Sequence, residues 1–146
     1  MDEINSLVET IHLSFEGVLR QLNFKEGEQR HFERGATISY RNDDFRIEFA
    51  YDRGIVETGV GPLGDDWTVG VENMKAFISL KESSGILGVA ERKLIIATRL
   101  SHNEQAQFLL NSSALIGNAL SKSNSHGTRK EIRALYDERW GFGMYK

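Results

Sequence analysis

The chain has 146 residues, one proline, no cysteine and a net charge of −3. That length suits one domain, residues 1–146, able to bury a core without disulfide or metal staples. Without cysteine there is no disulfide framework, no thiol nucleophile and no thiolate metal site, and a pI near 5.8 argues against nonspecific nucleic-acid binding. No window nears the ~18 uninterrupted apolar residues of a membrane helix. Met1-Asp2-Glu3 carries acid where a secretion signal carries lysine or arginine. A cytoplasmic protein with no membrane partner is expected.

Residues 1–23 read as a helix, because Ile4, Leu7, Val8, Ile11, Phe15, Val18, Leu19 and Leu22 recur at spacings of three and four. The period is lost over residues 23–34, which predicts a turn leading into a first strand. Residues 36–61 switch to period two and predict a three-stranded antiparallel meander. Ile38 and Tyr40, then Phe45, Ile47, Phe49 and Tyr51, then Val56, Thr58 and Val60 point inward. Asn42-Asp43-Asp44 and Asp52-Arg53-Gly54 are the turns, with Gly54 free to take a positive φ.

Residues 70–139 are expected to be mostly helical. Val71, Met74, Phe77 and Ile78 predict a short helix, and the apolar run from Ile86 to Leu100 predicts a well-buried one. Ser101 with Glu104, and Thr128 with Glu131, match the capping box that opens a helix. Residues 140–146 form an aromatic, glycine-interleaved tail. Helix, meander and then helices make an α+β fold.

The chemistry-bearing motifs are weak. Gly59-Val60-Gly61-Pro62-Leu63-Gly64 has the glycine spacing of a dinucleotide loop. It follows a hairpin strand, however, and carries Pro62, Asp65 and Asp66 where a phosphate needs N–H donors. His12, His31, His102 and His126 are scattered and read as surface or capping residues. Asp43-Asp44 and Asp65-Asp66 sit in turns, where aspartates usually bond their own backbone. No nucleophile–base constellation is visible, so no turnover, no metal and no cofactor are expected.

Charge is unevenly placed. From Tyr40 to Glu72 there are eight acids and three bases, a net of −5 that leaves +2 for the rest. An acidic meander suits a basic partner. The expected contact set is Asp43, Asp44, Arg46, Glu48, Glu57, Asp65, Asp66 and Trp67, with Trp140, Phe142 and Tyr145 as further candidate anchors. Arg129, Lys130 and Arg133 form a small basic patch with the balance of an ordinary solvated face.

Ile38-Ser39-Tyr40-Arg41, Phe45-Arg46-Ile47-Glu48-Phe49-Ala50-Tyr51-Asp52-Arg53-Gly54 and Val56-Glu57-Thr58-Gly59-Val60-Gly61 together resemble the small bacterial immunity proteins encoded beside polymorphic or contact-dependent growth-inhibition toxins. The resemblance covers roughly residues 1–80. It implies a cytoplasmic, non-enzymatic protein that binds and blocks one cognate toxin domain, many such toxins being basic nucleases. Two other classes fit the composition. One is a homodimeric secretion-type chaperone that binds an effector. The other is a small-molecule enzyme using carboxylates, for which the sequence supplies neither nucleophile nor cofactor.

Overall fold

The computed structural model describes residues 3–83 and 85–140, with backbone alone for 138–140. The expected α+β order is present. Helices α1 (Glu3–Ser14) and α2 (Glu16–Gln21) precede strands β1 (Lys25–Phe32), β2 (Gly35–Arg41), β3 (Arg46–Asp52), β4 (Ile55–Gly61) and β5 (Val69–Gly70). Helices α3 (Val71–Ser83), α4 (Val89–Ala97), α5 (His102–Ala119) and α6 (Ser125–Trp140) follow. The strands form one antiparallel sheet in the order β1-β2-β3-β4-β5.

The sheet therefore has five strands where three were expected. β1 escaped the period-two test because all eight of its residues are exposed. An edge strand with no face against the core has nothing to enforce alternation, and its charges and the register break between Glu26 and Gln29 are the usual protection of such an edge. The two residues of β5 are too few to show a period. The leading helix is also two helices. Phe15, fully buried, breaks helical geometry at φ −118° and ψ −14°, and Gly17 lowers the cost of a break there.

The inward set of the meander is as expected, with Ile38, Phe45, Ile47, Phe49 and Val60 fully buried. α1 covers β2 and β3, and α3 covers β4 and β5, so these helices lie on one face of the sheet. Aromatic edges lock this layer: the Phe15 and Phe49 rings stand 4.8 Å apart and Phe24 and Phe45 5.2 Å apart. Tyr40 packs on Phe49, and its hydroxyl donates to Glu26 Oε1 at 3.4 Å. Burial, and then the Glu26 charge, push its phenol up to about 12.

The turns are chemically distinct. Arg53 (φ 53°) and Gly54 (φ 86°) both take positive φ, as a two-residue type I′ hairpin requires. At the other end of β3 the side chain that bonds its own turn is Asn42, not an aspartate. Its Oδ1 accepts from Asp44 and Phe45 N–H, and its Nδ2 donates to the Leu22 carbonyl.

Two helical expectations change. Residues 86–100 are not well buried: α4 sinks only Ile96 fully, while Ile86, Val89 and Leu94 are 85%, 73% and 71% exposed. Nine residues against one side of α3 and α6 cannot cover an apolar surface that runs around the helix. Thr128 does not open α6. Its N–H already bonds the Asn124 carbonyl and its side chain is buried, because the helix starts three residues earlier, at Ser125. The Ser101–Glu104 capping box is present as expected, with Glu104 N–H to Ser101 Oγ at 3.2 Å and Ser101 N–H to Glu104 Oε1 at 2.9 Å. The tail beyond Trp140, with Phe142 and Tyr145, and the Trp140 side chain lie outside the described residues.

Candidate functional site

β5 pairs with β4 only at Gly59 and Val60, because α3 begins at Val71 and ends the strand there. Among the described residues, the stretch Ile55–Thr58 of β4 thus has no strand on its outer edge. The connection from α4 to α5 takes that place. His102 Nε2 lies 3.2 Å from the Val56 carbonyl. A carbonyl only accepts, so Nε2 carries the hydrogen. Between this edge, the start of α3 and Tyr136 of α6 opens a cleft of about 660 Å³.

Each wall of the cleft follows from local sequence. Thr58 is the one polar residue on the inward row Val56-Thr58-Val60, and Gln105 the one polar residue beside Ala106, Phe108 and Leu109 on the buried stripe of α5. Both are more than nine-tenths buried. Glu72, in the first turn of α3, accepts the Leu100 N–H with Oε2 and faces Arg99 Nη1 at 3.6 Å with Oε1. Gln105 Nε2 donates to the Leu100 carbonyl at 3.3 Å. The Leu100 backbone is thus held from two helices. Glu48, Ala50 and Glu57 of the open sheet face form the outer lip.

The register shows which expected contact residues come together. Glu48 and Glu57 share the open face, paired to Gly59 and Ala50 respectively. Asp43, Asp44, Asp65 and Asp66 cluster at one end of the sheet, since Arg41, Arg46 and Gly61 lie side by side there. All four are exposed. Asp44 stands against α5, where a side chain at Gly117 would come within 3.3 Å of its Cβ.

Two of the expected contact residues are engaged internally. Arg46, 14% exposed, donates Nε–H to the Pro62 and Asp65 carbonyls and Nη2–H to the Trp67 carbonyl, clamping the loop after β4. That loop passes so close that a Cβ at Gly61 would sit 2.2 Å from the Trp67 oxygen, which gives this glycine a packing role. Trp67 is half-buried, and the Arg129 guanidinium lies 5.1 Å from its ring centre. Arg129 thus leaves the basic patch, while Lys130 and Arg133 stay exposed.

The open face is polarised, not uniformly acidic. Lys25 and Arg41 sit opposite each other on β1 and β2. Arg30 bonds Glu28 at 3.0 Å; that bond first, and then the charges of Glu28, Glu48 and Asp66, hold its guanidinium above its ordinary value. The acid that remains lies on the β3–β4 half, beside the cleft. Sequence patterning counted charges along the chain and so missed those β1 supplies across the sheet.

Thr58, Gln105, Glu72 and Arg99 were not singled out from sequence, and His102 was read as a surface or capping residue. The available signal was a polar residue interrupting an apolar row, at Thr58 and again at Gln105. Among the described residues no three His, Asp or Glu side chains gather as a metal site would need, and no helix is long and apolar enough to cross a membrane. Compared with models of protein families, with curated proteins and with solved structures, the chain matches none.

Proposed function

We propose that this chain is a cytoplasmic immunity protein that neutralises a cognate toxin domain by direct contact and performs no chemistry of its own. The observation that carries the reading is the arrangement of the sheet. Helices cover one face, and the β3–β4 half of the other presents Glu48 and Glu57 beside a cleft. Specific protein complexes bury about 800 Å² on each partner, and a rigid sheet face with acid at its centre suits a basic toxin domain such as a nuclease. The loose resemblance of residues 36–61 to immunity proteins points the same way.

Surface plasmon resonance against the toxin domain encoded beside this chain tests the reading. Glu48→Gln with Glu57→Gln should raise the dissociation rate, costing about 2–5 kcal/mol if both carboxylates are desolvated. Binding untouched by that pair but abolished at Lys130 and Arg133 would move the interface to α6.

One observation favours a second reading, a homodimeric secretion-type chaperone. Ile86, Val89 and Leu94 leave apolar surface open on and before α4, and such patches mark protein contacts. A dimer in light scattering that Leu94→Glu dissolves would support it, whereas a monomer removes it.

A further inference from the structure

Thr58 Oγ1 and Gln105 Oε1 are buried and have no hydrogen-bond partner among the described residues. Buried polar atoms are almost always paired, so an orphan calls for a physical reason. Here the two orphans belong to residues from distant parts of the chain that line one cleft, each oxygen itself almost wholly covered. The orientation of Gln105 is set from within: its Nε2 is committed to the Leu100 carbonyl, which leaves Oε1 as the free acceptor.

The charges around the cleft are already sorted. Glu72 is satisfied by Arg99 and by the Leu100 N–H. Glu48 faces Arg46 at 3.9 Å. Glu57, exposed at the mouth, has no ion-pair partner among the described residues. What is left over is an amide oxygen, a hydroxyl and a carboxylate. All three can accept, and only the hydroxyl can also donate. An anion would meet three carboxylates and a single guanidinium. A cation rich in N–H donors complements that set of acceptors.

We infer that the cleft receives an arginine side chain of a partner protein, the side chains over Gln105 Oε1 and Thr58 Oγ1 shifting so that its guanidinium donates to both, with Glu57 as counter-charge at the mouth. A guanidinium is favoured over an ammonium for two reasons. Its planar fork carries five donors and serves separated acceptors at once, and it stacks on flat rings such as those of His102 and Tyr136, which line the cleft. The inference rests on the protein-binding reading for the source of the arginine, not for the pocket itself.

The test is a titration of the ¹⁵N-labelled full chain with the blocked peptide acetyl-Gly-Arg-Gly-amide, followed by NMR. The citrulline and lysine versions serve as controls. Saturable shifts are expected at the Thr58, His102 and Gln105 amides, with binding at least tenfold weaker for both controls. Thr58→Val and Gln105→Leu should each weaken binding roughly tenfold. The melting temperature of Thr58→Val should hold or rise, since it removes an unpaired buried atom, whereas Gln105→Leu also gives up the bond to the Leu100 carbonyl and should melt lower. Absent shifts, equal binding of citrulline or lysine, or variants that bind like the parent would overturn the assignment. If the peptide fails while Glu48 and Glu57 still govern toxin binding, the pocket assignment falls and the interface reading stands. If the peptide binds as expected and the toxin domain does not, the reverse holds.

Discussion

Arg46 shows how one side chain can hold a loop that has almost no secondary structure. Pro62, Asp65 and Trp67 present carbonyls toward the sheet, and a single guanidinium meets all three. Hydrogen bonds to a charged group are each worth about 1.5–3 kcal/mol. Arg46→Ala should therefore lower unfolding free energy by at least that amount in a denaturant titration. Arg46→Lys should recover little, because an ammonium lacks the fork; full recovery by lysine would show that charge alone matters. Glu104 makes a pH-dependent contribution. The Ser101 backbone N–H, and then the Ser101 hydroxyl, hold its carboxyl below the usual range. A lowered folded value stabilises the protein above the unfolded pKa, and that stability is lost as pH falls through the folded one. The stability gap between the parent and Glu104→Gln should be present at neutral pH and shrink as pH falls through the folded value, as denaturant titrations across the acid range would read. Ser101→Ala should cost about 1 kcal/mol at pH 7, the usual value of an N-cap.

At the scale of elements, α4 separates apolar composition from burial. Ile96 is 2% exposed and Leu94 71% exposed, two positions apart on the same helix. Ile96→Ala should cost about 2–4 kcal/mol through lost transfer and cavity terms. Leu94→Glu should stay within about ±0.5 kcal/mol, as exposed substitutions usually do. Equal costs in thermal unfolding would show that α4 packs differently. The meander was legible because Phe45, Ile47 and Phe49 alternate with charged or small residues against one covered face. β1 was not, because neither of its faces is covered, and burial is the cause of alternation. The cap at Ser101 was legible because its hydrogen bonds are local. The start of α6 was not, because Thr128 is buried by tertiary packing and its Thr-x-x-Glu spacing arose inside the helix.

Across the whole molecule, charge works through geometry. Asp43 and Asp44 sit at the end of the sheet, exposed and away from the Glu48–Glu57 half. Charges in such a place steer association more than they hold a complex. Neutralising both should slow association with the proposed toxin partner and flatten its salt dependence, with little change in dissociation. Association rates unchanged at low salt would remove those two residues from the approach path.

The α+β class, the inward rows of β2, β3 and β4, the hairpin at Arg53-Gly54 and the cap at Ser101 are all legible along the chain. Each of these depends on contacts between near neighbours or on one face meeting one core. That Arg46 turns into a loop, that Arg129 covers Trp67, that β1 brings bases beside the acids, and that Thr58 and Gln105 line one cleft emerge from long-range packing alone. Those pairings join residues tens of positions apart, and no local period records which of many distant side chains will share a pocket.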